Sequence, residues 1–136
     1  MMKLKRRDLK KLAGVRLKDV RSLMQSGCFS GAYYLLGYAV ECALKAVIAK
    51  QTGVYEFPNK KRVNDSYTHD LVKLFTTAGL DKEQMGTQTK LYLATVYMWN
   101  TQSRYTMKIS KNEAEDLFEA VTHPQDRVLS WLKTFW

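Results

Sequence analysis

The run from Gly31 to Ala46, Gly-Ala-Tyr-Tyr-Leu-Leu-Gly-Tyr-Ala-Val-Glu-Cys-Ala-Leu-Lys-Ala, limits the fold more tightly than any other part of the chain. Wound as a helix, it sets Leu36, Val40, Ala43–Leu44 and Val47 on one face and Tyr34, Tyr38 and Cys42 on another. A helix that is apolar nearly all round has to be enclosed by other helices. The segment therefore predicts a central helix that opens at Ser30 or Phe29, runs to about Gln51 and ends at Thr52-Gly53. Gly31, Ala32, Gly37, Ala39, Ala43 and Ala46 would let neighbouring helices come close. Two charges interrupt it, Glu41 and Lys45, four apart and in the order that favours an ion pair. A carboxylate in so apolar a helix needs a partner, because an unpaired buried charge is costly. Lys45 is one candidate, and an Arg from elsewhere is the other.

What surrounds such a helix follows from the rest of the chain. With 136 residues, 46% hydrophobic and 26% charged, the sequence predicts one folded domain over 1–136 and excludes a disordered linker. Two prolines and seven glycines leave little punctuation, which favours long helices over many short strands. No uninterrupted apolar stretch approaches the roughly 20 residues of a membrane span, and no apolar signal core follows Met1–Arg7. Cys28 and Cys42 fit reduced thiols better than a disulfide framework, so the expected location is cytoplasmic, with no membrane partner.

A first amphipathic helix spans about Arg7 to Gln25, with Leu9, Leu12, Ala13, Arg16, Val20 and Leu23–Met24 at spacings of three and four, and Ser26-Gly27 stops it. Residues 53–67 read as a long loop, either functional or mobile. Thr68 is expected to cap a short helix to Ala78, ended by Gly79. Asp81 and Gln84 resemble a capping box for a helix to about Asn100, with Leu91, Ala94 and Tyr97–Met98 as its inner stripe. Ser110 and Glu113 form a second box that opens the last helical region. Pro124 should break or kink that region, with Thr122 or His123 capping a stretch to Phe135. Leu117, Val121, Val128, Leu132 and Trp131 or Trp136 are its expected core contacts. The sum is an all-α, up-and-down bundle of five or six helices.

Charge is concentrated at one end. Of the formal +9, residues 1–27 carry an excess of seven, with nine basic side chains against Asp8 and Asp19. Such a first element suits an anion-facing surface, nucleic acid above all, or else a solvated face that confers solubility. The triplet Lys60-Lys61-Arg62 is a second basic cluster.

Few residues carry chemistry. Cys28, Cys42, His69 and His123 show none of the spacings of a zinc site, so neither a metal nor a cofactor is expected. Cys42, on an apolar helix, reads as an inert core thiol. His69 stands beside Asp70 at a helix start, where it either ties down the preceding loop with Thr68 or acts as an acid or base. Arg104-Tyr105, after Trp99-Asn100, either binds phosphate and stacks on a base or closes the bundle, Arg104 pairing with Glu41 and covering Trp99.

The run Gly31–Ala46, then Thr68-His69-Asp70-Leu71, then Arg104-Tyr105, resembles the HEPN domain family, the higher eukaryotes and prokaryotes nucleotide-binding domain, from roughly Leu9 to Leu132. The resemblance implies a bundle of four or five helices, often a homodimer. It also implies a bacterial or archaeal protein found beside minimal nucleotidyltransferases in toxin–antitoxin or defence modules. Many members are metal-independent ribonucleases that use an Arg and a later His with four to six residues between them. With Arg104 as that Arg, the matching positions here hold Ile109, Ser110 and Lys111.

Two readings follow. The first is a non-enzymatic, homodimeric module that binds nucleotide, RNA or a nucleotidyltransferase. In it the basic first helix, Lys60, Lys61, Arg62, Arg104 and Tyr105 face the anionic ligand, and Glu41 with Lys45 is a structural ion pair. The alternative is a metal-independent RNA endonuclease that uses Arg104 with His69.

Overall fold

The computed structural model describes residues 4–52, 59–80, 85–123 and 128–136, with Arg104 described by its backbone alone. The expected Asp81–Gln84 capping box and Pro124 lie outside the described residues.

The first two helices form a hairpin. α1 (Arg6–Gln25) buries Leu9, Ala13, Leu17 and Val20 against α2 (Phe29–Gln51), which leaves its charged residues outward. Gly27 closes α1 with φ +74°, so that its N–H reaches the Met24 carbonyl and the Cys28 N–H reaches that of Leu23. α2 is the enclosed axis that its sequence demands. Leu36, Val40, Leu44 and Val47 are fully buried, and α1, α4, α6, α7 and the 3-10 turn all lie against it. Each such Leu contributes about 1.5–3 kcal/mol of burial. By length and composition α2 could also cross a membrane, but 67% of its apolar window is buried by the rest of the bundle.

Around this axis stand α3 (Lys60–Ser66), α4 (Leu71–Ala78), α5 (Thr87–Tyr97), a 3-10 turn (Thr101–Tyr105), α6 (Lys111–Thr122) and α7 (Val128–Lys133). The architecture is the expected all-α bundle, with seven α-helices among the described residues rather than five or six. One of the additions is α3, which lies where a loop is expected. Asn59 caps it by accepting from the Lys61 and Arg62 N–H groups, and Lys73 of α4 holds Asp65 at 3.7 Å. The cap of α4 is Asp70 rather than Thr68, because the Asp70 carboxylate accepts from the Lys73 N–H. Thr68 instead accepts from the Asp70 N–H.

The inner stripe of α5 also differs from expectation. Thr89, Leu93 and Val96 are buried, whereas Leu91 is 59% and Met98 76% exposed. The helix stops at Tyr97, short of Asn100, and that stop turns Trp99 inward, where it is 3% exposed. The Ser110–Glu113 capping box opens α6 as expected, and Leu117, Val121, Val128 and Leu132 are core residues. Trp131 is half-buried and stacks on Phe75, with ring centroids 6.3 Å apart.

Candidate functional site

The site grows from one glycine of α2. A Cβ at Gly37 would lie 1.9 Å from Trp99 Cε2, so only the missing side chain admits the indole. Seated there, Trp99 donates through Nε1 to the Tyr33 carbonyl at 3.1 Å. This contact anchors the end of α5 on α2, and the 3-10 turn that carries Arg104 and Tyr105 follows two residues later.

One helical turn beyond Gly37 is Glu41, 5% exposed. Its Oε2 stands 3.6 Å from Lys45 Nζ, the expected pair four residues apart. Its Oε1 meets His69 Nδ1 at 2.6 Å, a short contact between groups 28 residues apart. The imidazole is thus a second partner of Glu41, one that the local spacing of residues does not announce. The carboxylate is buried and the imidazole is not: the His69 side chain is 57% exposed. A carboxylate only accepts, so Nδ1 carries the proton and Nε2 presents a lone pair when the ring is neutral. Asp70, the acid next to His69 in sequence, is occupied with capping α4.

Rings complete the corner. Tyr38 packs edge-on against His69, centroids 5.6 Å apart, and against Trp99 at 5.4 Å. The Tyr34 hydroxyl donates to that of Tyr38 at 3.3 Å. Two ring contacts thus link the exposed imidazole to Trp99, and from there the backbone leads into the Arg104 turn. The side chain of Arg104 lies outside what is described, so its expected pairing with Glu41 does as well. Tyr105 is 67% exposed on that turn. Ser110, at a position where a family ribonuclease would hold histidine, caps α6 by accepting from the Glu113 N–H.

The basic triplet sits elsewhere. Lys60 and Lys61 open α3, about 9 Å along the helix from the Tyr67–His69 end. Arg62 donates to the Thr77 carbonyl at 2.8 Å and to Gln51 Oε1, while Gln51 Nε2 donates to the Ala78 carbonyl at 2.7 Å. Arg62 and Gln51 thereby satisfy one carbonyl each at the end of α4 that the helix leaves open. Asn59, Lys61, Arg62, Asp65, Thr76 and Thr77 line an open depression at that end.

Burial, and after it the Glu41 charge, push the Cys42 thiol up to about 11, which leaves it without a nucleophilic thiolate. Burial, then Glu113, also raise the Tyr33 hydroxyl above its ordinary value.

The pair most in need of finding, Glu41 with His69, left a signal in the sequence: a carboxylate in an apolar helix and a histidine beside an acid already suited to capping. No curated protein and no solved structure matches the chain. The family model described as HEPN domain matches residues 7–133, nearly the whole chain and every element of the site. The chain belongs to the HEPN domain family.

Proposed function

We propose that this HEPN protein is a non-enzymatic module that binds a nucleotide or RNA at the corner shared by His69, Tyr38 and the Arg104–Tyr105 turn. The observation that carries this reading is the exposed imidazole fixed by a buried carboxylate, 2.6 Å from Glu41, in a chain of net charge +9. An aimed nitrogen lone pair beside aromatic rings suits a ligand with hydroxyl or amino donors, and an arginine on the adjacent turn suits its phosphate. Lys60 and Lys61 add a second patch for a longer strand. The module would act in the cytoplasm as a homodimer beside a minimal nucleotidyltransferase, in a toxin–antitoxin or defence setting. That Ser110 serves as a helix cap, with Ile109 and Lys111 beside it, favours binding over cleavage.

The second reading, metal-independent RNA cleavage by Arg104 with His69, draws on the same carboxylate–imidazole contact. That contact would hold a general base in one tautomer. One experiment separates them: a labelled RNA of about 20 nucleotides, followed by fluorescence anisotropy and on a denaturing gel. Binding without cleavage, weakened at least tenfold by His69→Ala and by Arg104→Ala, is the expected result. Cleavage that falls several hundred-fold in both variants, with folding unchanged, would overturn the binding reading in favour of the enzyme.

A further inference from the structure

The basic residues of α1 fall into two groups. Arg6 reaches the Trp136 carbonyl, Lys10 stands 5.2 Å over the Trp136 ring, and Arg16 donates to Asp19 at 3.0 Å. These cations have work within the fold. Arg7, Lys11, Lys18 and Arg21 do not. All four are exposed; Arg7 has only a loose 3.9 Å contact with Asp8, and Lys11, Lys18 and Arg21 make no ion pair among the described residues.

Their placement is regular. At about 100° per residue, the four fall with Gly14 and Gln25 in one arc of about 80°, and Asp8 and Asp19 fall outside it. They extend for about 21 Å along the helix at 1.5 Å per residue. Gly14 stands between the Arg7–Lys11 pair and the Lys18–Arg21 pair, and apart from its chain neighbours and its own helix backbone no atom lies within 4 Å of where its Cβ would be. The result is an unobstructed ridge with positive charge toward both ends.

We propose that this ridge docks the sugar–phosphate backbone of a nucleic acid, each cation facing a phosphate of one strand. The inference rests on the nucleotide or RNA reading and extends it to a long ligand. A mononucleotide is far shorter than the ridge, and a convex surface offers it no enclosure. An anionic membrane fits less well, because Leu9, Ala13, Leu17 and Val20 are buried on α2 and have no apolar face left to insert. An acidic protein would look for apolar or aromatic anchors, and Val15, 49% exposed, is the one large apolar side chain exposed on α1.

The test measures the affinity of the full chain for a labelled single-stranded RNA of about 20 nucleotides across a salt series. The variant carries Arg7→Gln, Lys11→Gln, Lys18→Gln and Arg21→Gln, since glutamine keeps helix propensity. A charge-matched control carries Lys50→Gln, Lys73→Gln, Lys90→Gln and Lys111→Gln, and circular dichroism checks both folds. With four phosphates no longer neutralised, at about 0.7 each, the plot of log affinity against log salt should flatten by about 3 in the ridge variant. Its affinity at low salt should fall at least tenfold, while the control stays near the parent. An unchanged slope, or an equal change in the control, would overturn the proposal. So would loss of binding to phosphatidylserine vesicles with RNA affinity intact, which would identify a membrane surface instead. If Arg104→Ala weakens RNA binding and the ridge variant does not, the ridge alone is wrong. If the parent binds no RNA at all, both readings fall.

Discussion

Neighbouring helices α1 and α2 share one interface and use the rest of their surfaces in opposite ways. α1 buries four residues of twenty, whereas α2 buries twelve of twenty-three. Both carry a glycine in mid-helix. Gly14 of α1 faces open space, and Gly37 of α2 holds an indole. A side chain on α1 can therefore meet a ligand directly. A side chain buried on α2 acts only through what is packed against it, as Glu41 does through His69. The contrast divides the molecule into a buried axis and an exposed periphery.

Substitutions at the axis break this division most severely. Trp99→Ala should cost about 3–5 kcal/mol, because it empties the space at Gly37 and removes the indole's hydrogen bond to the Tyr33 carbonyl. Gly37→Ala should cost about 1–3 kcal/mol even though alanine is the better helix former, since its Cβ has nowhere to go. Chemical denaturation measures both, and destabilisation below about 0.5 kcal/mol would mean that the indole does not sit on the glycine. Thiol chemistry gives the next largest effect. At pH 8 the exposed Cys28 should react with a thiol reagent at least a hundredfold faster than buried Cys42, whose thiol is held up to about 11. A raised pKa means that the folded state keeps its proton longer than the unfolded state. The contribution is therefore full below the ordinary value of 9.0 and is lost as pH rises toward about 11, so stability should decline across that alkaline window. A urea series over it checks the direction. Gly14→Ala, the smallest effect, should stabilise by about 0.4–1 kcal/mol, since the helix gains propensity and nothing is displaced.

What could be read from the amino acids follows the same division. α1 and α2 are legible because a long helix repeats its burial pattern often enough to be seen. The pair of Glu41 with Lys45 is legible because four residues is one helical turn. In α5 the pattern misleads: polar Thr89 occupies the buried face, apolar Leu91 and, just past the helix, Met98 are exposed, and eleven residues offer too few repeats to correct this. Asn59 caps α3 locally, but the helix is held in place by Arg62 and Asp65 reaching α4, contacts that no local pattern contains. Small residues in α2 announce a close approach at Gly37 without naming Trp99, 62 positions away in the sequence. The candidate site is legible as a set of separate residues. Its assembly is not, because Glu41 and His69 are joined only by the fold.

At the centre of the molecule a carboxylate of the axial helix fixes an exposed imidazole, and imidazole nitrogen resonances report on that contact directly. In a long-range proton–nitrogen correlation spectrum above pH 8, wild-type His69 should show a protonated Nδ1 and a bare Nε2, and Glu41→Leu should shift the ring toward the Nε2-protonated tautomer. A wild-type ring already protonated at Nε2, and unchanged by Glu41→Leu, would contradict it.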